Sequence, residues 1–248
     1  MVIIKTTKEI EIIREGGKIL AEVINTLVKK SKPGISTLEL DKIADKLMHE
    51  KGGQPSFKGY QGFPAAICAS LNDEVVHGIP SEDKILKEGD IFSIDAGMQY
   101  KGLYTDMSRT INIGRTSKKA KRLVNTTKKA LELGLRQIRA GNQIGDISFA
   151  IQDYAESNGF GVVRSLVGHG VGKKVHEEPK IPNYGEKATG PILEEGMVLA
   201  IEPMLTAGNY EVSIDEDGWT ARTKDGLLSA HFEDTVAVTK NGYSLLTK

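Results

Sequence analysis

From Thr7 to Lys30 the apolar residues Ile10, Ile13, Ile19, Leu20, Val23, Ile24 and Leu27 recur at mostly three- and four-residue steps. That is the period of a helix with one buried face, and Pro33-Gly34 stops it. Ser36-Thr37-Leu38-Glu39 has the Ser-x-x-Glu form of a reciprocal helix cap, which predicts a second helix to about Lys51, before Gly52-Gly53. Turn signals crowd the next stretch, at Lys58-Gly59, Gly62, Pro64 and Gly78-Ile79-Pro80. The apolar runs Ile91 to Met98 and Leu103 to Ile113 then predict two strands around a Lys101-Gly102 turn. Lys118 to Arg139 is again helical, and Asp146 to Asn158 gives a fourth helix after Gly141.

The second half of this pattern repeats the first at an offset of 107. Lys32-Pro33-Gly34 corresponds to Arg139-Ala140-Gly141, and Gly52 to Gly159. Leu86-Lys87-Glu88-Gly89 corresponds to Leu193-Glu194-Glu195-Gly196, and Ile94-Asp95 to Ile201-Glu202. A duplicated unit of two helices and a strand hairpin predicts an α+β chain with a pseudo-twofold axis. The two hairpins would form one curved sheet with the helices outside. The expected organisation is one catalytic domain over residues 1–248, with pseudo-repeats of roughly 5–114 and 115–246.

Composition narrows the class. The 248 residues hold 33 basic and 33 acidic side chains, which leaves no charge excess to attract nucleic acid or a membrane surface. One cysteine cannot make an internal disulfide, so a reducing, cytoplasmic setting is expected. No apolar run approaches the ~20 residues of a membrane span, and the first residues lack the order of a signal peptide.

Chemistry enters where carboxylates interrupt apolar strands. Asp95 ends Ile91-Phe92-Ser93-Ile94, and Glu202 ends Met197-Val198-Leu199-Ala200-Ile201. Asp106 lies across the Lys101-Gly102 turn, within about a residue of facing Asp95 in a hairpin. Glu233 precedes Thr235-Val236-Ala237-Val238 and is the repeat counterpart of Asp106 if the second hairpin carries an insertion. Any one of these reads most simply as a strand-end residue facing solvent. Four converging on a sheet interior would repel and would be costly to desolvate, unless cations such as two divalent metals compensate. Oxygen ligands with one imidazole suit manganese, iron, cobalt or zinc.

Three of the five histidines stand in Gly- or Pro-bounded segments: His77 in Asn-Asp-Glu-Val-Val-His-Gly-Ile-Pro, His169 in Gly-His-Gly-Val-Gly, and His176 in Val-His-Glu-Glu-Pro. On residue type alone these are equally solvated loop histidines. His49 reads as a helix-surface residue, and His231 has no informative context.

Asp95, Asp106, His169, Glu202 and Glu233 match, in order and spacing, the five metal ligands of the methionine aminopeptidases. The strings around His77, His169 and Glu202 (the last Ala-Ile-Glu-Pro-Met) resemble that family's hallmark segments, and the resemblance runs from about residue 5 to 246. It implies the pita-bread fold. It also implies two divalent ions per chain (Co, Mn, Fe or Zn) and removal of initiator methionine from new polypeptides with a small second residue. On this resemblance Asp106 and Glu233 bridge the metals, Asp95 chelates one, and His169 and Glu202 complete the other. Glu202 is implied as proton shuttle, His176 as partner of the scissile carbonyl and His77 as partner of the scissile amide. The methionine pocket is implied to be Phe57, Tyr60, Phe63, Cys68 and Trp219, with His77 at its edge. Without the resemblance, the three loop aromatics read as ordinary packing and Cys68 as an inert buried residue.

Val175 stands where some members carry Phe, and Asp234 where a His is frequent. Only 25 residues separate His176 from Glu202, too few for the helical insertion of the type II enzymes, and no zinc-finger-like extension precedes the unit. The short type I form is expected, as a monomer that meets polypeptide N-termini, with transient ribosome contact left open. An Xaa-Pro dipeptidase or aminopeptidase of the same fold is the second enzyme reading. Such relatives usually carry a separate N-terminal domain, and an aromatic-plus-Cys pocket argues against proline. A non-catalytic binding member is the third, against which stand the full ligand set and the absence of a basic footprint.

Overall fold

The computed structural model describes residues 2–248, in which four helices surround a nine-stranded antiparallel sheet and two small three-stranded ones. Helix α1 spans Thr7–Lys30 and α2 Thr37–Glu50, the bounds that periodicity and capping predict to within a residue. Both open with reciprocal caps. Glu9 accepts from the Thr6 backbone N–H while Thr6 Oγ1 accepts from Glu9 N–H, and Ser36 with Glu39 repeats the pattern.

Helix α3 covers Lys118–Leu135 and α4 Ile144–Ser157. Helix α3 stops four residues before the predicted Arg139, because the chain tightens there: Gln137 N–H donates to Gly134 O and Ile138 N–H to Leu135 O. That turn points Ile138 into the core. Helix α4 starts two residues before Asp146, whose carboxylate accepts from the Gln143 N–H and so lies inside the first turn.

The sheet runs, in order, Gln54–Pro55, Ile91–Tyr100, Leu103–Asn112, Glu233–Thr239, Val198–Ile201, Gly168–Gly170 and Glu177–Ile181. Cys68–Leu71 pairs with Ile91–Tyr100, and Gly242–Leu245 with Glu233–Thr239. The first hairpin aligns Gly97 with Asp106 and Asp95 with Ser108. Asp95 and Asp106 are therefore two residues out of register rather than opposed, because the turn at Lys101-Gly102 pairs Tyr100 with Leu103. The even offset still leaves both on one face of the sheet.

Geometric equivalences recur at the offset of 107. Ser36 bridges Ile85, and Gln143 bridges Ile192. Gly34 N–H donates to Leu86 O, and Gly141 N–H to Leu193 O. Asp95 and Glu202 thus come from corresponding strands of the two halves.

The helices are laid against the sheet by apolar faces. Leu20, Val23, Ile24 and Leu27 of α1 and Leu40, Ala44 and Met48 of α2 bury against Phe92, Ile94 and Met98. Leu123, Leu131, Ile147 and Ile151 of α3 and α4 bury against Leu199, Ile201 and Val236. Gly17 lets α1 approach so closely that an added Cβ would meet the Leu246 carbonyl. Among the described residues no helix is long and apolar enough to cross a membrane.

Candidate metal centre and pocket

One cavity of about 630 Å³ gathers all twelve residues singled out from the sequence: Phe57, Tyr60, Phe63, Cys68, His77, Asp95, Asp106, His169, His176, Glu202, Trp219 and Glu233. They come from the hairpin strands, from strands Cys68–Leu71, Gly168–Gly170 and Glu233–Thr239, from the residue that follows Val198–Ile201, and from the loops around residues 57–63, 77, 176 and 219.

At its floor, Asp106, His169 and Glu233 bring ligand atoms within 4.8 Å of one another. Asp95 and Glu202 stand beside this trio, close enough that Asp95 and Asp106 push the Glu202 carboxyl up. Burial is the leading cause for all four carboxyls, and repulsion from neighbouring carboxylates comes second for Asp106, Glu202 and Glu233. Asp95 is pushed up to about 7 by burial alone, and Asp106, Glu202 and Glu233 well above the usual carboxylate range.

Among the described residues no lysine or arginine pairs with any of these carboxylates, and Asp95 Oδ1 and Glu233 Oε1 are buried without a hydrogen-bond partner. Several kcal/mol of desolvation per ion with no protein counter-charge is a poor bargain for stability alone. It is the donor set that divalent cations complete.

His169 fits the same chemistry. Its Nδ1–H donates to Gly170 O at 2.8 Å, which leaves Nε2 as the lone-pair nitrogen, 3.5 Å from Glu202 Oε1. Burial, then the nearby His176, lowers its pKa to about 3, so it stays neutral and able to ligate.

The walls divide by function. Phe63, Ala65 and Cys68 form an apolar cluster with Phe57, Ile79 and Trp219 packed on it, and the Phe63 and Trp219 rings meet edge to face at 5.2 Å. Burial and the adjacent carboxylates push the Cys68 thiol up, so it is an unreactive wall. His77 ends strand Glu74–Val76 at φ 59 and faces Trp219, ring centroids 6.4 Å apart. His176 Nδ1 shares a hydrogen bond of 3.0 Å with the Tyr60 hydroxyl, and its ring meets His169 edge-on at 4.3 Å. Val175 is buried at the rim.

Several residues around the centre carried no signal in the sequence. His231 is only 1% exposed, has no hydrogen-bond partner on either ring nitrogen, and sets Nε2 3.6 Å from Glu202 Oε2. It ends the short strand Ser229–His231, four residues before the apolar run Thr235–Val238, so only its nearness to Glu233 in sequence could have flagged it. Thr235 Oγ1 holds Asp106 by both backbone groups, at 3.0 Å from its N and 2.7 Å from its O. Asn183 Nδ2 donates to Glu202 O at 3.0 Å. Arg109 donates to Glu233 O at 2.6 Å and to the Asp234 carboxylate at 2.6 Å, so Asp234 makes a partly buried ion pair beside the centre.

The sequence profile of metallopeptidase family M24 matches residues 11–240. A methionine aminopeptidase of Clostridium acetobutylicum is 49% identical over 247 residues, covering 100% of this chain and 99% of the relative. The crystal structure of a methionine aminopeptidase from Thermotoga maritima superposes with a TM-score of 0.99 at 45% identity, covering all of both chains. A prolidase from Pyrococcus furiosus has a TM-score of 0.80 at 26% identity, and only 65% of that chain is matched.

Proposed function

This chain belongs to metallopeptidase family M24, and from that premise we propose that it is a methionine aminopeptidase acting on polypeptides whose second residue is small. The observation that carries the reading is the buried, cation-free carboxylate set beside an apolar, sulfur-compatible pocket, in a chain matched end to end by methionine aminopeptidases. The prolidase reading is less well supported, since the likeness is lower in both identity and TM-score.

Asp95, Asp106, His169, Glu202 and Glu233 would hold two divalent ions, four carboxylates balancing four positive charges. Such ions, when bound, would polarise the scissile carbonyl and ease deprotonation of water. The chain's own residues do the rest. The methionine side chain lies among Phe57, Phe63, Cys68 and Trp219, where a thioether packs well against ring edges. Tyr60 O–H donates to His176 Nδ1, which leaves Nε2–H for the scissile carbonyl oxygen and the oxyanion that forms there. Glu202, its carboxyl raised well above its ordinary value by burial and then by Asp95 and Asp106, accepts a proton from the attacking water and passes it to the leaving amine. His77, held neutral by burial, offers its ring to the scissile amide.

Protein supplied with manganese, iron or cobalt should release methionine from Met-Gly-Met and leave a peptide with a bulky second residue intact. No release with any of these metals overturns the reading. Cleavage of non-Met peptides ahead of a second-position proline, in preference to Met-Gly-Met, transfers it to the prolidase class.

A further inference from the structure

His176 is exposed on the cavity wall, and its ring makes one hydrogen bond, to Tyr60. That contact orients the ring but does not hold the backbone that carries it. The neighbours on either side are packed inside. Val175 is buried, and the Glu177 side chain is 2% exposed.

Glu177 ties the loop from behind. Its Oε1 accepts the backbone N–H groups of Lys173 at 2.5 Å and Lys174 at 2.9 Å, closing the turn that leads into His176. Its Oε2 accepts from Lys5 Nζ at 2.5 Å, and the Lys5 side chain is 1% exposed. Lys5 belongs to the segment before α1, fixed by its own N–H donating to Gly196 O and by the Thr6 cap. Its stem runs past Gly172, which has φ 138 and no side chain: an added Cβ there would lie 2.7 Å from Lys5 Cε. Lys173 Nζ adds a second tie to α1 through Glu9 at 2.9 Å.

A buried lysine–carboxylate pair gives little net stability, because desolvation offsets the attraction. An apolar pair of similar volume would serve the core as well. What the pair does supply is a fixed distance between the segment before α1 and the residue adjoining His176.

We propose that Lys5 is a positioning residue for His176: through Glu177 it fixes the 172–177 loop so that the imidazole meets the carbonyl oxygen of the bond being cut. The inference rests on the reading of His176 given above. A displacement of about 1 Å in such a group costs on the order of 10²-fold in rate.

The test is a double-mutant cycle between Lys5→Met and His176→Ala, read in kcat and KM for methionine release, with bound metal and melting temperature measured alongside. Lys5→Met keeps the stem and removes the charge. It should lower kcat by about 10–100-fold with KM, metal content and melting temperature close to wild type. In the His176→Ala background the same change should cost almost nothing. Glu177→Gln, which still accepts from the loop N–H groups, should reproduce Lys5→Met if that variant folds poorly. Unchanged kcat in folded Lys5→Met, or equal losses with and without His176, overturns the inference while the functional reading stands. A wild-type protein that releases no methionine overturns both.

Discussion

His231 sets its Nε2 3.6 Å from Oε2 of Glu202, on a carboxylate whose other oxygen lies 3.5 Å from His169. The candidate proton shuttle is flanked by two imidazoles, and the His231 ring has no hydrogen-bond partner among the described residues. At 3.6 Å the two groups are in electrostatic contact rather than hydrogen-bonded, and closing that gap as Glu202 ionises would add about 1.5–3 kcal/mol. His231→Leu should therefore lower kcat by roughly 10- to 100-fold with little change in KM, while His231→Gln, which can still donate, should keep most of the rate. Steady-state kinetics at saturating metal distinguish them, and equal activity of all three proteins would remove His231 from the mechanism.

Glu233 tests the trade between ligation and stability. Its Oε1 is buried and unpartnered, and burial followed by Asp106, Glu202 and Asp95 opposes its ionisation. Glu233→Gln removes a ligand charge and a source of repulsion together. The variant should bind less metal and lose most activity, yet in chelator it should melt above chelated wild type. At this chain length each kcal/mol gained raises the midpoint by about 2–4 °C. Unchanged metal stoichiometry would refute a ligating role.

His77 gives a pH signature. Burial, and secondarily His176, lowers its pKa from an ordinary 6.5 to about 4. A lowered folded value means that the neutral ring contributes stability above pH 6.5, and that this contribution is lost as pH falls towards 4. The full effect is about 3 kcal/mol. The ring-proton resonance of His77 should titrate near 4 in the folded protein, and a midpoint near 6.5 would contradict its burial.

Gly17 is where α1 meets the strand end that follows Gly242–Leu245. Alanine there gains up to ~1 kcal/mol of helix propensity but drives its methyl into the Leu246 carbonyl, a backbone atom that cannot swing aside. The clash should win, with a net loss of about 1–3 kcal/mol in denaturant unfolding. Leu246 N–H donates to Thr235 O and Thr247 Oγ1 to Asp234, so the shift should also reach the Glu233 strand and lower activity. A stability equal to or above wild type would show that α1 has room to move.

Much of this architecture was legible because it rests on local rules. The cap at Ser36 and the turn at Lys101-Gly102 are short-range signals, and the 107-residue offset carried the rest of the fold. The carboxylates were legible because their charge contradicts their strands. The supports were not. His231, Arg109, Asn183 and Thr235 act across sequence separations that no periodicity encodes, and Glu177 reads as one acid among many until Lys5 meets it from 172 residues away. The register of Asp95 and Asp106 also depended on which residues closed the turn.

The five candidate ligands run from Asp95 to Glu233, two from one half of the chain and three from the other. During synthesis, therefore, a ribosome must deliver every residue through 233, and the strand bearing Glu233 must dock between its neighbours, before the centre can exist. A methionine aminopeptidase of this topology is itself idle until the residues through Glu233 have been made and folded.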